Sequence, residues 1–111
     1  MAVATLRGRK VITLSWEETA QKDRENIYRY FFEQAGILLA DKVDARFQEM
    51  AELLQETPYA GIKLKNNKDE LYRKLIVPHF PFTLLYHYEK KIKNIRILRL
   101  LHTARQITSL Y

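Results

Sequence analysis

The sequence predicts an α+β domain in which an N-terminal helical hairpin packs on a small, mainly antiparallel sheet. Three observations predict this class: a short β-branched run near the N-terminus, two consecutive segments with apolar residues at helical spacing, and three β-rich runs joined by short turns. The predicted element order is β-α-α-β-β-β. At 111 residues the chain is expected to form one domain, residues 1–111, with one modest core.

The first predicted elements are a loose basic arm and a short strand. Residues 1–10 contain three basic side chains and no acid, and residues 11–14 form the β-branched run. Ser15 is expected to begin the first helix through a capping box, because Glu18 follows it at the required spacing. Glu17 would add a favourable charge at the positive end of the helix dipole.

Two amphipathic helices are predicted next, joined by a short turn into an antiparallel hairpin. In the first helix Ala20, Ile27, Phe31 and Ala35 recur at helical spacing, and Gly36 is expected to end it in a left-handed cap. The second helix begins near residue 38 and ends before Pro58, because proline disfavours helical backbone in the preceding residue. Its predicted core face consists of Val43, Phe47, Met50, Ala51 and Leu54.

A polar connection, residues 57–70, leads to three predicted strands at residues 71–77, 82–89 and 94–101. The short turns between the strands, one bracketed by prolines and one rich in lysine, favour an antiparallel meander. The third strand is apolar on both faces apart from two arginines, which predicts an interior position covered by the helices. Alternation along the second strand predicts that Phe82, Leu84, Tyr86 and Tyr88 face the core.

Composition narrows the function classes. Without cysteine, disulfides and thiolate metal sites are excluded, and a reducing cytoplasm is the expected location. No apolar run approaches the roughly 20 residues of a transmembrane helix. Glycine-rich phosphate loops, nucleophile elbows and zinc-protease motifs are absent, and the three histidines lack metal-ligand spacing, so neither a cofactor nor a metal is predicted.

Positive charge is concentrated in the C-terminal half. Residues 11–56 contain five basic and ten acidic residues, whereas residues 57–111 contain eleven basic and three acidic residues, a net charge of +8. Such asymmetry predicts a surface for an anionic target or an acidic partner, although any single lysine could serve only solubility. The candidate target-binding residues are Arg73, Lys74, Arg96, Arg99, His102 and Arg105.

Several motifs, taken in their order along the chain, resemble those of a known superfamily. Trp16, Ala20 and Asp23 begin the first helix, and the sequence ETPYAG ends the second helical segment. The runs RKL, HFPFTLLY and ILRLLHTARQ follow in the meander and after it. Across about residues 11–106 this arrangement resembles the RelE/ParE toxins of type II toxin–antitoxin modules, and the spacing in the last run is similar to the ParE branch and plasmid-stabilisation proteins.

The resemblance implies one of two activities. ParE-like members inhibit DNA gyrase and are not nucleases, whereas RelE-like members are ribosome-dependent endoribonucleases that cut messenger RNA in the A site. RelE-like ribonucleases have an arginine on the second meander strand, where this chain has Thr83. The resemblance therefore favours gyrase inhibition, and it implies a cognate antitoxin as partner in a hetero-oligomer. A plain nucleic-acid-binding domain without toxicity is a third hypothesis.

Histidines are the candidates for proton transfer in the nuclease alternative, together with arginines that would bind a phosphate. His102 and Arg105 would lie side by side if the chain becomes helical after Leu101. A structural role at the sheet edge is the competing hypothesis for this pair. Arg73 and His79 complete the nuclease set, although His79, between Pro78 and Phe80, is more typical of a turn. His87 is expected at an exposed strand position.

Overall fold

The computed structural model describes residues 12–64 and 72–103, and it has the predicted α+β architecture with one additional strand. The chain begins with strand β1, followed by helices α1 and α2, and four further strands complete it. The bounds are β1 Thr13–Trp16, α1 Glu18–Ala35, α2 Ile37–Glu56, β2 Ile62–Lys63, β3 Tyr72–Ile76, β4 Phe82–Glu89 and β5 Asn94–His102. Neither helix is long and apolar enough to cross a membrane within these residues.

The strands form one sheet in the order β1-β5-β4-β3-β2. Strands β3, β4 and β5 make the predicted antiparallel meander, and β1 pairs parallel with β5, from Thr13 opposite Asn94 to Trp16 opposite Ile97. The expected interior position of β5 is confirmed. Strand β2 lies within the segment predicted as a polar connection, and it pairs with β3. Two residues are too few for alternation to be visible in the sequence.

The predicted capping box at the start of α1 is wrong. Ser15 belongs to β1, where it pairs with Arg96, because pairing with β5 extends through Trp16. The residue at the N-cap is Glu17, and it makes no side-chain capping bond. Its carboxylate instead accepts a hydrogen bond from Arg96 at 3.1 Å. The strand is therefore longer, and the helix starts later, than the Ser15–Glu18 spacing indicates.

A single residue, Gly36, separates the two helices. Its φ of 97° and ψ of 174° are extended backbone with positive φ, so the predicted left-handed helical cap is wrong in detail. This region is almost restricted to glycine. The Gly36 amide donates to the Phe32 carbonyl at 3.0 Å, which closes α1, and α2 begins at the next residue. The turn therefore reverses the chain without a loop.

The main core lies between the helices and one face of the sheet. It contains the predicted residues of α2, with Met50 partly buried, and the predicted face of β4. On α1, Ala20 is fully buried and Ile27 and Phe31 pack against the core, but Ala35 is exposed, contrary to the predicted stripe. Edge-to-face contacts join Phe82 to Phe31 and to Phe47, at centroid distances of 6.2 and 5.6 Å.

A second apolar cluster lies on the opposite face of the sheet. Leu85, Leu98 and Leu101 are buried there, with Leu64 and Tyr72 packed against them. The register between β4 and β5 shifts here: Leu85 is opposite Arg99 and Tyr86 is opposite Ile97, so Leu98 is an additional residue in β5. This bulge reverses the alternation in the last part of β5. Both faces of the sheet are consequently partly covered.

Candidate functional site

Among the candidate cations that the structure describes, Arg99, directly after the bulge, is the one that binds both oxygens of a carboxylate. Its guanidinium donates to both carboxylate oxygens of Asp23 on α1, at 2.8 and 3.2 Å. The same carboxylate accepts the backbone N–H of Leu100 at 2.9 Å. β1 ends opposite Ile97, so Asp23 supplies an acceptor to the part of β5 that β1 does not reach. The Trp16–Ala20–Asp23 spacing therefore has a structural role.

His102 lies beside Arg99 at the end of β5. Both line a small cavity of about 270 Å³ between α1 and the sheet, together with Asn26, Ile27 and Phe82. The imidazole meets the Phe82 ring edge-on, at a centroid distance of 5.9 Å. Because β5 continues through His102, the expected helical geometry does not begin at this residue. Arg105, the predicted neighbour of His102, lies outside the described residues.

Arg96 and His87 form a polar row on the face opposite the helices. The Arg96 guanidinium donates to Glu17 at 3.1 Å and to His87 Nδ1 at 3.2 Å. An arginine N–H only donates, so Nδ1 accepts, and in the neutral ring the proton is on Nε2. That nitrogen is 3.8 Å from a carboxylate oxygen of Glu89.

The expectation that His87 is exposed is wrong, because only 7% of the residue is accessible. Cross-strand contact with Tyr72, at a centroid distance of 5.8 Å, and the second apolar cluster cover this face of the sheet. Burial and the adjacent Arg96 charge lower the pKa of His87 from its ordinary 6.5, while Glu89 opposes the shift. The net effect favours the neutral imidazole.

Arg73 lies on β3, which is separated by β4 from the strand that carries Arg99. Its guanidinium donates to the carbonyl oxygens of Gly61 at 2.8 Å and Tyr59 at 3.3 Å, and it stacks on the Tyr59 ring at 4.9 Å. The neighbouring Lys74 pairs with Ile62 of β2. Arg73 thus holds the segment before β2 against the sheet, while a role toward a target stays a prediction for both residues.

The segment before β2 is also held by Tyr86, one of the fully buried side chains. Its hydroxyl accepts the Gly61 N–H at 2.9 Å and donates to the Pro58 carbonyl at 2.8 Å. A Cβ added at Gly61 would be 2.7 Å from both the Lys74 carbonyl oxygen and the Tyr86 ring. Only glycine fits there. Burial raises the pKa of the Tyr86 hydroxyl, partly offset by the Gly61 hydrogen bond.

His79 lies in the turn between β3 and β4. Its φ of 70° is left-handed, which a turn residue adopts more readily than a strand residue. The side chain is exposed and is separate from the cavity that contains Arg99 and His102. The structure therefore brings together only part of the predicted nuclease set. Among the described residues, no group of three acidic or histidine side chains could hold a metal ion.

Thr83 marks the position at which the RelE-like resemblance implies an arginine. Only 3% of Thr83 is accessible, and its hydroxyl is 3.5 Å from that of Thr103. It pairs with Leu101 of β5, within a face that is apolar here. An arginine would need to reach solvent or find a carboxylate partner, because an unpaired buried charge is strongly unfavourable.

A larger groove of about 820 Å³ lies elsewhere, along β1 and the helices, and contains none of the candidate target-binding residues. Leu14, Trp16, Tyr28 and Phe32 contribute its apolar surface. Its lining contains two arginines and two acids, and Arg24 binds both oxygens of Asp44 at 2.6 and 2.9 Å and stacks on Trp16 at 4.6 Å. Electrostatic attraction toward an anion is therefore weak at this groove.

Comparison with protein-family models identifies the family of this chain. A family model, described as the ParE toxin of the type II toxin–antitoxin system parDE, matches residues 14–107. The chain belongs to this family. The match confirms the resemblance to RelE/ParE toxins inferred from the motifs. By sequence, the ParE-type chain matches none of the curated proteins.

Solved structures show the same fold. A chain of the chromosomal ParDE system from P. aeruginosa is 24% identical with a TM-score of 0.68, covering 82% of this chain and 95% of that one. A chain of the RelBE2 toxin–antitoxin complex from Mycobacterium tuberculosis is 19% identical with a TM-score of 0.62, covering 84% of this chain and 99% of that one. The isolated E. coli RelE toxin is 17% identical with a TM-score of 0.54, covering 89% of this chain and 92% of that one. At these identities the likeness concerns the fold alone.

Proposed function

We propose that this ParE-type toxin inhibits DNA gyrase by protein–protein contact and does not cleave RNA. Thr83 carries the proposal. RNA cleavage through the 2′-hydroxyl requires cations around the pentacoordinate phosphate, and the RelE-like resemblance implies one of them at this position. The chain has a buried, uncharged threonine instead, beside the buried Leu101.

The engagement of the other sheet arginines also supports gyrase inhibition. Arg73 donates to two carbonyl groups, Arg96 to Glu17 and His87, and Arg99 to Asp23. A cation that must stabilise a transition state has to be available when charge develops on the phosphate. Recruiting these arginines would break contacts that hold the sheet to its neighbours, so they are poorly suited to this task.

A cognate antitoxin is the proposed partner that controls the toxin. The ParDE and RelBE2 neighbours are described as toxin–antitoxin assemblies. In this chain the net +8 of residues 57–111 would steer an acidic antitoxin. Exposed apolar side chains on the helical hairpin would add affinity: Tyr30, Phe32, Ile37 and Leu38 are each at least half accessible. An antitoxin that folds on binding would complete a hetero-oligomer.

The decisive experiment compares two targets with one preparation. Purified toxin should reduce supercoiling by gyrase, and added antitoxin should restore it. The same toxin should leave a defined message intact during translation on purified ribosomes. Ribosome-dependent cleavage without any effect on gyrase would reject the proposal in favour of the RelE-like nuclease.

Variants of His102 and Arg105 separate contact from catalysis. We expect Arg105→Ala to abolish gyrase inhibition with antitoxin binding intact, if Arg105 contacts the target. His102→Gln should retain inhibition, because glutamine keeps a neutral hydrogen bond but cannot exchange protons near neutral pH. Loss of activity in His102→Gln, with an unchanged thermal melting curve, would favour acid–base chemistry instead.

A further inference from the structure

The turn between β4 and β5 presents the most concentrated exposed charge among the described residues. Lys90, Lys91 and Lys93 lie within four residues, with Ile92 between them. The side chains of Lys90 and Lys91 are exposed, and Ile92 is 69% accessible. An exposed isoleucine between lysines is not explained by packing within the domain, so this turn has the composition of a contact site.

Availability distinguishes these lysines from the sheet arginines. Within residues 12–64 and 72–103, the Lys90 and Lys91 ammonium groups have no ion-pair or hydrogen-bond partner. Arg73, Arg96 and Arg99 are all engaged inside the domain. Unlike the sheet arginines, Lys90 and Lys91 can therefore meet an external anion without breaking an internal contact.

The backbone of the turn is held in place. The Lys93 N–H donates to the Lys90 carbonyl at 3.2 Å, and Lys93 has a φ of 51°. The Lys93 carbonyl in turn accepts the Thr13 N–H of β1 at 3.0 Å. Asn94 donates to the Thr13 hydroxyl at 2.8 Å. Because the turn is tied to a neighbouring strand, the lysines project from a preorganised support.

The chemistry of the turn favours the backbone of duplex DNA. Lysine ammonium groups act as point charges toward phosphates, and they read little base sequence. No aromatic residue lies within residues 89–94, and the preceding Tyr88 is packed edge-on against Tyr59 at 5.3 Å, so stacking on single-stranded bases is not provided for. Apolar side chains beside basic ones are used by minor-groove binders to wedge between base pairs.

We propose that the β4–β5 turn is a sequence-independent contact site for duplex DNA. Lys90 and Lys91 would neutralise phosphates, and Ile92 would enter the minor groove between them. The site is distinct from His102 and from the exposed apolar side chains of the helical hairpin that are proposed to contact the antitoxin. It concerns DNA contact by the toxin itself, so it stands or falls independently of gyrase inhibition.

The test measures binding of the purified full-length chain to a short fluorescein-labelled duplex by anisotropy, across about 50–200 mM salt. The association constant falls as salt rises. For Lys90→Ala/Lys91→Ala, the magnitude of the slope of its logarithm against log salt should decrease by about 2, one for each lost phosphate contact. The matched control, Lys22→Ala/Lys42→Ala, removes the same charge from the helices and should leave the slope unchanged. Ile92→Ser should weaken binding roughly threefold or more at an unchanged slope, because it removes apolar contact and no charge.

Two results would overturn the proposal. Equal slopes for the turn variant and the helix control would mean that Lys90 and Lys91 do not touch phosphates. Unchanged DNA binding with weakened antitoxin binding, measured on the same variant, would make the turn a protein contact site. Thermal melting of each variant verifies that the fold is retained. None of these measurements contains gyrase, so a negative result leaves the proposed function intact.

Discussion

The arginines of the sheet and Lys90 and Lys91 of the β4–β5 turn carry the same formal charge but differ in the contacts they make within the domain. Arg73 and Arg96 each bind two groups from other parts of the chain, and Arg99 binds both oxygens of the Asp23 carboxylate. Lys90 and Lys91 bind none among the described residues. Net charge alone therefore overstates the surface available to a target, because much of it is used to join elements of the fold.

The choice of residue type fits this division. Arginine presents several donors in a rigid plane, which suits two acceptors at fixed positions, as at Asp23 and at the Gly61 and Tyr59 carbonyls. Lysine is a flexible and strongly hydrated point charge, which suits adaptable contact with an external anion. The following variants test the division, beginning with the largest expected effect.

Removing the Arg99 guanidinium should be the most damaging of these changes. The Arg99 and Asp23 side chains are only 20% and 15% accessible, so Arg99→Ala leaves a carboxylate largely buried without its partner. We expect a loss of about 3 kcal/mol in the free energy of unfolding, measured by urea denaturation. Arg99→Lys keeps the charge without the paired geometry, and its free energy of unfolding should lie between those of the unsubstituted chain and Arg99→Ala. A loss below about 0.5 kcal/mol would place Arg99 with the turn lysines instead.

A smaller loss is expected at the segment that Arg73 holds. Gly61→Ala would place a Cβ 2.7 Å from the Lys74 carbonyl and the Tyr86 ring, which should cost about 1–3 kcal/mol. Tyr86→Phe removes the hydroxyl that binds Gly61 and Pro58, at a cost of about 1–2 kcal/mol. Denaturation of both single variants and the double variant measures their coupling. Strictly additive losses would contradict a direct contact between the two residues.

The lowered pKa of His87 predicts a pH-dependent effect on stability. Its pKa is lowered in the folded chain, so below pH 6.5 the unfolded state binds more protons and folding stability falls as pH decreases. His87→Gln removes the titrating group and should flatten stability between about pH 7 and 5.5, above the range of most carboxylates. Chemical denaturation at several pH values would measure this. Parallel pH profiles for both proteins would show that His87 is not buried in its neutral form.

Removing the turn lysines should have the smallest effect on the free energy of unfolding. Lys90→Ala/Lys91→Ala removes two exposed side chains without partners among the described residues. The free energy of unfolding should change by no more than about 0.5 kcal/mol. The helix control, Lys22→Ala/Lys42→Ala, should behave alike. A loss above about 1 kcal/mol at the turn would indicate that its lysines stabilise the fold, contrary to the division proposed above.

Periodicity predicted most of the fold because it reports which side of an element is apolar. The α2 face and the alternation from Phe82 to Tyr86 are both in the core. The predictions made from local sequence pattern are wrong where contact with an element distant in sequence determines the structure. Ser15 has a capping sequence but is drawn into β1 by pairing with β5, and His87 alternates as a surface residue but lies on a face covered by a second cluster.

The candidate site was predicted less completely than the fold. The sequence identifies which side chains are cationic, but it does not identify their partners, which lie up to 79 residues away in the case of Arg96 and Glu17. The spacing of Trp16, Ala20 and Asp23 signalled the family without revealing that Asp23 binds β5. The cluster of lysines in the β4–β5 turn was visible in the sequence, but only the structure shows that Lys90 and Lys91 are unpaired among the described residues while the sheet arginines are occupied.

Parallel pairing of β1 with β5 has a consequence for biosynthesis. Asn94 binds Thr13 across a separation of 81 residues, so the first strand has no partner until nearly the whole chain exists. At about 5–20 residues per second, a ribosome needs on the order of 4–16 s to synthesise that interval. Nascent chains that end before Asn94 should remain protease-sensitive in the helical hairpin, whereas the complete released chain should resist. The sheet of this chain can therefore be completed only after residue 94 has been synthesised, late in its own translation.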